Sequence, residues 1–167
     1  MRVCHLTSVH HRGDTRIFLK EIPALVDAGF DVTVFVADGK GNEEREGYIL
    51  YDVGRPNGRL NRIFRLSKKV RDKALDIDVD VYHFHDPELI PVGIYLIKRG
   101  KKVIYDIHED VPLSILSKDW IPALFRRIIA SSFKWYENRG ARKCHALITA
   151  TPFINNRFRK LNGNSVN

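Results

Sequence analysis

Residues 103–112 read V-I-Y-D-I-H-E-D-V-P, and this stretch decides the fold class. Val103, Ile104 and Tyr105 are β-branched or aromatic and form a short apolar run, the pattern of a buried strand. Asp106, His108, Glu109 and Asp110 follow closely, and Pro112, which cannot donate to a ladder, stops the strand. Open α/β sheets place their ligands just beyond the carboxyl ends of buried parallel strands, which is where this charge falls. The bland alternative is that the same residues only cap the next helix.

Working outward, residues 79–84 form another strand, which runs into His85-Asp86-Pro87. Pro87 suits the first turn of a helix reaching residue 97, and Gly100 ends it. Downstream, residues 120–138 predict a long helix with apolar positions Ile121, Leu124, Phe125, Ile128, Ile129 and Phe133. A strand over 146–150 and a short helix over 152–161 follow. Toward the N-terminus, strands are predicted at 2–7, 31–37 and, more weakly, 48–53. Asp14 or Thr15 caps a helix whose residues Ile17, Phe18, Ile22, Leu25 and Val26 recur at helical spacing, and Gly29 closes it. Residues 40–47 read as a charged surface loop. Residues 60–75 read as a basic amphipathic helix on Leu60, Ile63, Phe64, Val70 and Ala74. Strands alternating with helices predict an α/β, Rossmann-like three-layer sandwich with a mostly parallel sheet.

The chain has 167 residues, 44% hydrophobic and 29% charged, which describes one globular domain with a real core. Cys4 and Cys144 lie in apolar strand-like contexts, so they read as core thiols in a reducing cytosol. The histidine-rich start does not read as a signal peptide, and no apolar run approaches the length of a membrane span. A net charge of +8 points to an anionic partner. Nucleic acid is disfavoured, because no recognition helix or stacking motif stands out. Basic residues crowd two helices beside Trp120, Trp135 and Tyr136. Such faces are often merely solvated, but they can also rest on an anionic membrane.

The loop after the first strand lacks G-x-G-x-x-G, which disfavours a dinucleotide cofactor. Gly13 alone is either an ordinary turn residue or a point of close phosphate approach. Histidines cluster at strand ends: His10 and His11, then His83 and His85, then His108. A metal-dependent hydrolase could use that rim, with His83 and His85 on one side of a strand, but no familiar ligand spacing appears.

The ordered set H-L-T-S-V-H-H-R-G-D, E-I-P-A-L-V-D-A-G-F-D-V-T-V-F, D-V-Y-H-F-H-D-P-E-L, G-K-K-V-I-Y-D-I-H-E-D and A-L-I-T-A-T-P resembles the N-terminal domain of glycosyltransferase family 4, of the GT-B fold. The resemblance implies an acceptor-binding half, residues 1–163. Residues 164–167 would then open a linker to a donor-binding domain outside this chain, and the fragment would be inactive alone. It implies a retaining, metal-independent transfer from a nucleotide-sugar donor to a saccharide or lipid-linked acceptor, with no cofactor. The setting implied is surface polysaccharide or lipopolysaccharide synthesis on the cytoplasmic side, with a peripheral seat on the inner face of the membrane as one form of it. His108 would stand in the place of the active-site histidine. His10, His11, Gly13, His85, Asp86, Glu109 and Asp110 would line the substrates. A non-catalytic module for a phosphorylated ligand or a membrane is the alternative.

Overall fold

A computed structural model describes residues 1–167. Eight strands form one sheet in the order β3-β4-β2-β1-β5-β6-β7-β8. They are β1 (Arg2–Leu6), β2 (Asp31–Val36), β3 (Glu43–Arg45), β4 (Tyr48–Asp52), β5 (Val81–Phe84), β6 (Lys102–Ile107), β7 (Ala146–Thr149) and β8 (Ser165–Val166). Every neighbouring pair is parallel except β3 with β4.

Two of these strands are additions to the six that the sequence predicts. β3 lies within the charged segment read as a loop, because Glu43-Glu44-Arg45 has no apolar alternation to mark it. Its hairpin with β4 turns through Gly47, whose φ of +83° suits a residue without Cβ. β8 extends the far edge, where residues 164–167 were expected to open a linker.

The helices sit unequally on the two faces. On one face Val70 and Ala74, Ile90 and Leu96, Ala141, and Ile154 with Phe158 pack onto Cys4, Leu6, Tyr82, Phe84, Tyr105 and Leu147. They come from four helical segments, Ser67–Asp76, Ile90–Ile97, Ala123–Ala141 and Pro152–Phe158. The other face carries the single helical segment running from Ile17–Glu21, a π-helical stretch, into Ile22–Asp27. Its Ile17, Phe18 and Ile22 bury against Val32, Val34, Val36 and Leu50. Both cysteines are free and buried.

The long helix departs from expectation. Only Ile121 of its predicted apolar positions is buried, while Leu124, Phe125, Ile128 and Ile129 are exposed. Helical spacing identifies an apolar stripe but does not say that the stripe faces the core. Residues 111–116, unassigned from sequence, form a short helix, Val111–Leu116. Ile115 of this helix meets Ile121 and Ala130 in a small separate cluster.

Candidate functional site

Strand alternation builds the site. On β1, Cys4 and Leu6 point into the large core, so His5 points to the opposite face. The register aligns His5 with His83, and His83 with Ile104. His83 on β5 and Asp106 on β6 therefore share that face with His5, and His85 continues it just past β5. This is the face covered by the Ile17–Asp27 segment, which brings Arg16 and Glu21 over the strand ends. A patch where apolar side chains are the rule is instead a buried polar layer.

Asp106 is its hub. It has no exposed surface and receives Arg16 Nη2–H at 2.7 Å and Nε–H at 3.1 Å. His108 Nε2–H donates to it at 3.0 Å and His85 Nδ1–H at 3.2 Å. Burial pushes the carboxyl upward, but the bonds from His108 and His85 outweigh it and hold Asp106 well below the carboxylate range. For His108 burial pulls the pKa down, and the bond and charge of Asp106 more than reverse this, so it lies above the ordinary histidine value. His85 is lowered by burial, with Asp106 opposing. His5 and His83 are pushed well below it, chiefly by burial. Glu21, bonded to Arg16 Nε at 2.9 Å, is raised to about 7 by burial and by the Asp106 charge.

The sequence-predicted residues divide. His10 joins His108, with ring centres 4.5 Å apart, and it bonds Asp14 at 2.8 Å. Asp14 caps the helical segment through the Arg16 and Ile17 N–H groups, both at 3.0 Å. His85 and His108 meet at 3.2 Å. Asp86 is buried and ties down the loop after β1: its Oδ2 accepts from Thr7 Oγ1 at 2.8 Å, Ser8 N at 2.6 Å and Val9 N at 3.2 Å. Glu109 is exposed and accepts from Ser114. His11 and Gly13 stand apart on the exposed turn, where Gly13 N–H donates to His11 Nδ1. Asp110 caps the Val111–Leu116 helix through Leu113 N–H at 3.1 Å and pairs with Arg157, so the capping alternative holds for this one residue.

Sequence reasoning missed His5, Arg16 and Glu21, and it left Asp106 out of the site. A histidine at the centre of a buried strand was the available signal for His5. Arg16 and Glu21 carry no local pattern of their own, and only tertiary packing brings them to Asp106.

His85, Asp106 and His108 offer ligating atoms within 4.8 Å of one another. Both Asp106 oxygens already accept hydrogen bonds, from Arg16 and from His85 and His108, so no carboxylate oxygen is left there for a cation, and the rim does not suit a metal hydrolase. Beside the rim opens a cleft of about 680 Å³ lined by His10, His85, Asp86, His108 and Glu109, with Arg59, Arg62, Ile129 and Phe133 on its far wall.

A parallel sheet of this topology with its polar cluster at the strand ends defines one half of a GT-B architecture, and solved structures agree. Sucrose-phosphate synthase from Thermosynechococcus elongatus superposes with a TM-score of 0.71 at 13% identity, over 99% of this chain and 47% of that one. The E. coli trehalose-6-phosphate structure bound with UDP-2-fluoro glucose gives 0.60 at 12% identity, over 96% and 42%. The alpha,alpha-trehalose 6-phosphate synthase of Burkholderia multivorans gives 0.54 at 12%, over 96% and 42%. This chain thus spans less than half the length of each. The family model for glycosyltransferase family 4 matches residues 13–166, and the chain belongs to that family. A search of curated proteins found no match.

Proposed function

We propose that this chain is the acceptor-side half of a retaining glycosyltransferase. It works with a donor-binding domain to move a sugar from a nucleotide sugar to a saccharide or lipid-linked acceptor, in surface polysaccharide or lipopolysaccharide synthesis. The observation that carries the reading is His108, held by Asp106 at the mouth of the cleft beside His10 and His85. Its Nε2 is committed to Asp106, which leaves Nδ1 as the nitrogen free to meet a substrate. With its pKa raised, His108 supplies an N–H donor where negative charge develops as the nucleotide diphosphate departs. His10 and Glu109 meet the sugar hydroxyls, and Asp86 fixes the loop that carries His10. In the enzyme joined to its donor domain, His108→Ala should lower kcat/KM by about 100-fold or more with the fold intact. Unchanged turnover would refute the role and favour a non-catalytic binding module. Residues 1–167 alone should not turn over a nucleotide sugar.

A second observation bears on the acceptor. Leu60 and Phe64 are 72% and 71% exposed, and Trp120 and Leu124 are 67% and 71% exposed, with Arg59, Arg65, Arg126 and Arg127 among them. No helix is long and apolar enough to cross a membrane, but apolar side chains flanked by arginines suit the surface of an anionic bilayer. We read this face as the seat of the enzyme on the membrane that holds a lipid-linked acceptor. The protein should sediment with vesicles containing anionic lipid and not with neutral ones. Leu124→Glu with Phe64→Glu should abolish binding, and binding that survived both would refute the assignment.

A further inference from the structure

Behind the rim, three buried polar atoms have no hydrogen-bond donor or acceptor paired with them: His5 Nε2, His83 Nε2 and Glu21 Oε2. Orphaned buried polar atoms are uncommon, and three in one layer call for an occupant. His5, Glu21, His83 and His85 each offer a ligating atom within 4.8 Å of those of the other three. In a tetrahedral zinc site, ligand atoms about 2.0–2.1 Å from the metal stand roughly 3.3 Å apart, so a small closure around an ion completes the geometry.

One further feature fits a cation, the tautomer chain. Asp106 accepts the Nδ1–H of His85, which leaves His85 Nε2 as an acceptor. It is met by His5 Nδ1 at 2.9 Å, so His5 donates from Nδ1 and presents a bare lone pair at Nε2. A histidine whose one nitrogen donates to a fixed partner while the other is deprotonated is the arrangement of a metal ligand.

We propose that His5, His83 and Glu21 bind one divalent ion of the zinc class, with a water completing the fourth position. Two imidazoles and a carboxylate favour such an ion over magnesium or calcium. The ligands come from β1, β5 and the Ile17–Asp27 segment, so the ion pins the only helical segment on that face to the two central strands. Such a set is invisible to spacing rules, because each element supplies a single ligand. The centre is structural, lies beyond His85 from the cleft, and is independent of the transfer reaction.

The test is elemental analysis of protein purified without chelator or histidine tag, followed by cobalt titration of the metal-stripped form. One zinc per chain retained through dialysis is expected, with a cobalt ligand-field band of tetrahedral type. His83→Gln should weaken cobalt binding by about 100-fold or more and abolish the rise in melting temperature that zinc gives the wild type. His145→Ala should change neither. If His83→Gln does not fold, Glu21→Gln at the partly exposed helix provides the same readout. Clearly substoichiometric zinc with no cobalt band would overturn the proposal. So would a Glu21→Gln protein that binds as the wild type does, or a His10→Ala protein that loses binding equally, which would move the ion to the rim.

Discussion

Replacing Asp106 with asparagine tests the hub directly. The side chain keeps its volume but loses its charge, and one oxygen becomes a donor facing donors. Breaking a buried charge pair costs about 3–5 kcal/mol when the survivor stays buried and unpaired. The Arg16 side chain is 28% exposed and keeps Glu21 at 2.9 Å, which lowers the expected loss to about 2–3 kcal/mol. That is a large share of a total stability of roughly 5–15 kcal/mol. With a urea slope of roughly 2 kcal/mol per molar, the unfolding midpoint should fall by about 1–1.5 M at unchanged slope. An NMR titration should also show the His108 pKa falling, since Asp106 is what holds it above its ordinary value against burial. A midpoint drop below about 0.3 M, with His108 unmoved, would refute the claim that Asp106 organises the site.

Substitutions at three further positions probe the frame around it. Arg12 grips Asp38 through two bonds of 2.7 Å and holds its carboxyl below the ordinary range, against burial. A depressed folded pKa contributes stability that is complete above the unfolded value of about 3.9 and is lost as pH falls through the folded value. Asp38→Asn should therefore cost stability at neutrality and flatten the decline below about pH 4, and parallel acid limbs in urea melts of the two proteins would refute the pairing. Gly93→Ala would set a Cβ 2.6 Å from Phe84 Cε1, on a ring stacked against Tyr105 at 4.5 Å. Helix propensity returns about 1 kcal/mol against about 1–3 for overpacking, so a net loss of about 1 kcal/mol is expected in thermal unfolding, and a gain would show that Phe84 yields. Asp110→Ala should lose about 1 kcal/mol with the helix cap and Asp110→Ser should regain most of it, whereas equal losses would point to the Arg157 pair instead.

Much of this molecule is legible in its sequence because a parallel sheet buries its central strands on both faces. The runs at Val103-Ile104-Tyr105 and Asp31 to Val36 have few other readings, and each strand end brings its polar residues to the same rim. His85 and His108 were found on that logic. Asp106 was counted only in the charge gathered at the strand end, when in fact it lies within β6, turns into the sheet and meets Arg16. Pairing across 90 residues of chain leaves no local pattern. The exposed apolar face of the Ala123–Ala141 helix was likewise hidden, since periodicity does not tell a core-facing stripe from one facing outward.

The place of β1 in the sheet also shapes how the chain comes into being. β1 leaves the ribosome before β2 and pairs with it soon afterward, but its other neighbour, β5, aligns His83 with His5. Synthesis at about 5–20 residues per second puts roughly 4–16 seconds between the two. Through that interval a Val-Cys-His-Leu edge stands unpaired, open to any other extended segment. The middle of the finished sheet is the exposed margin of the growing one, and the newborn chain needs shelter there until β5 arrives.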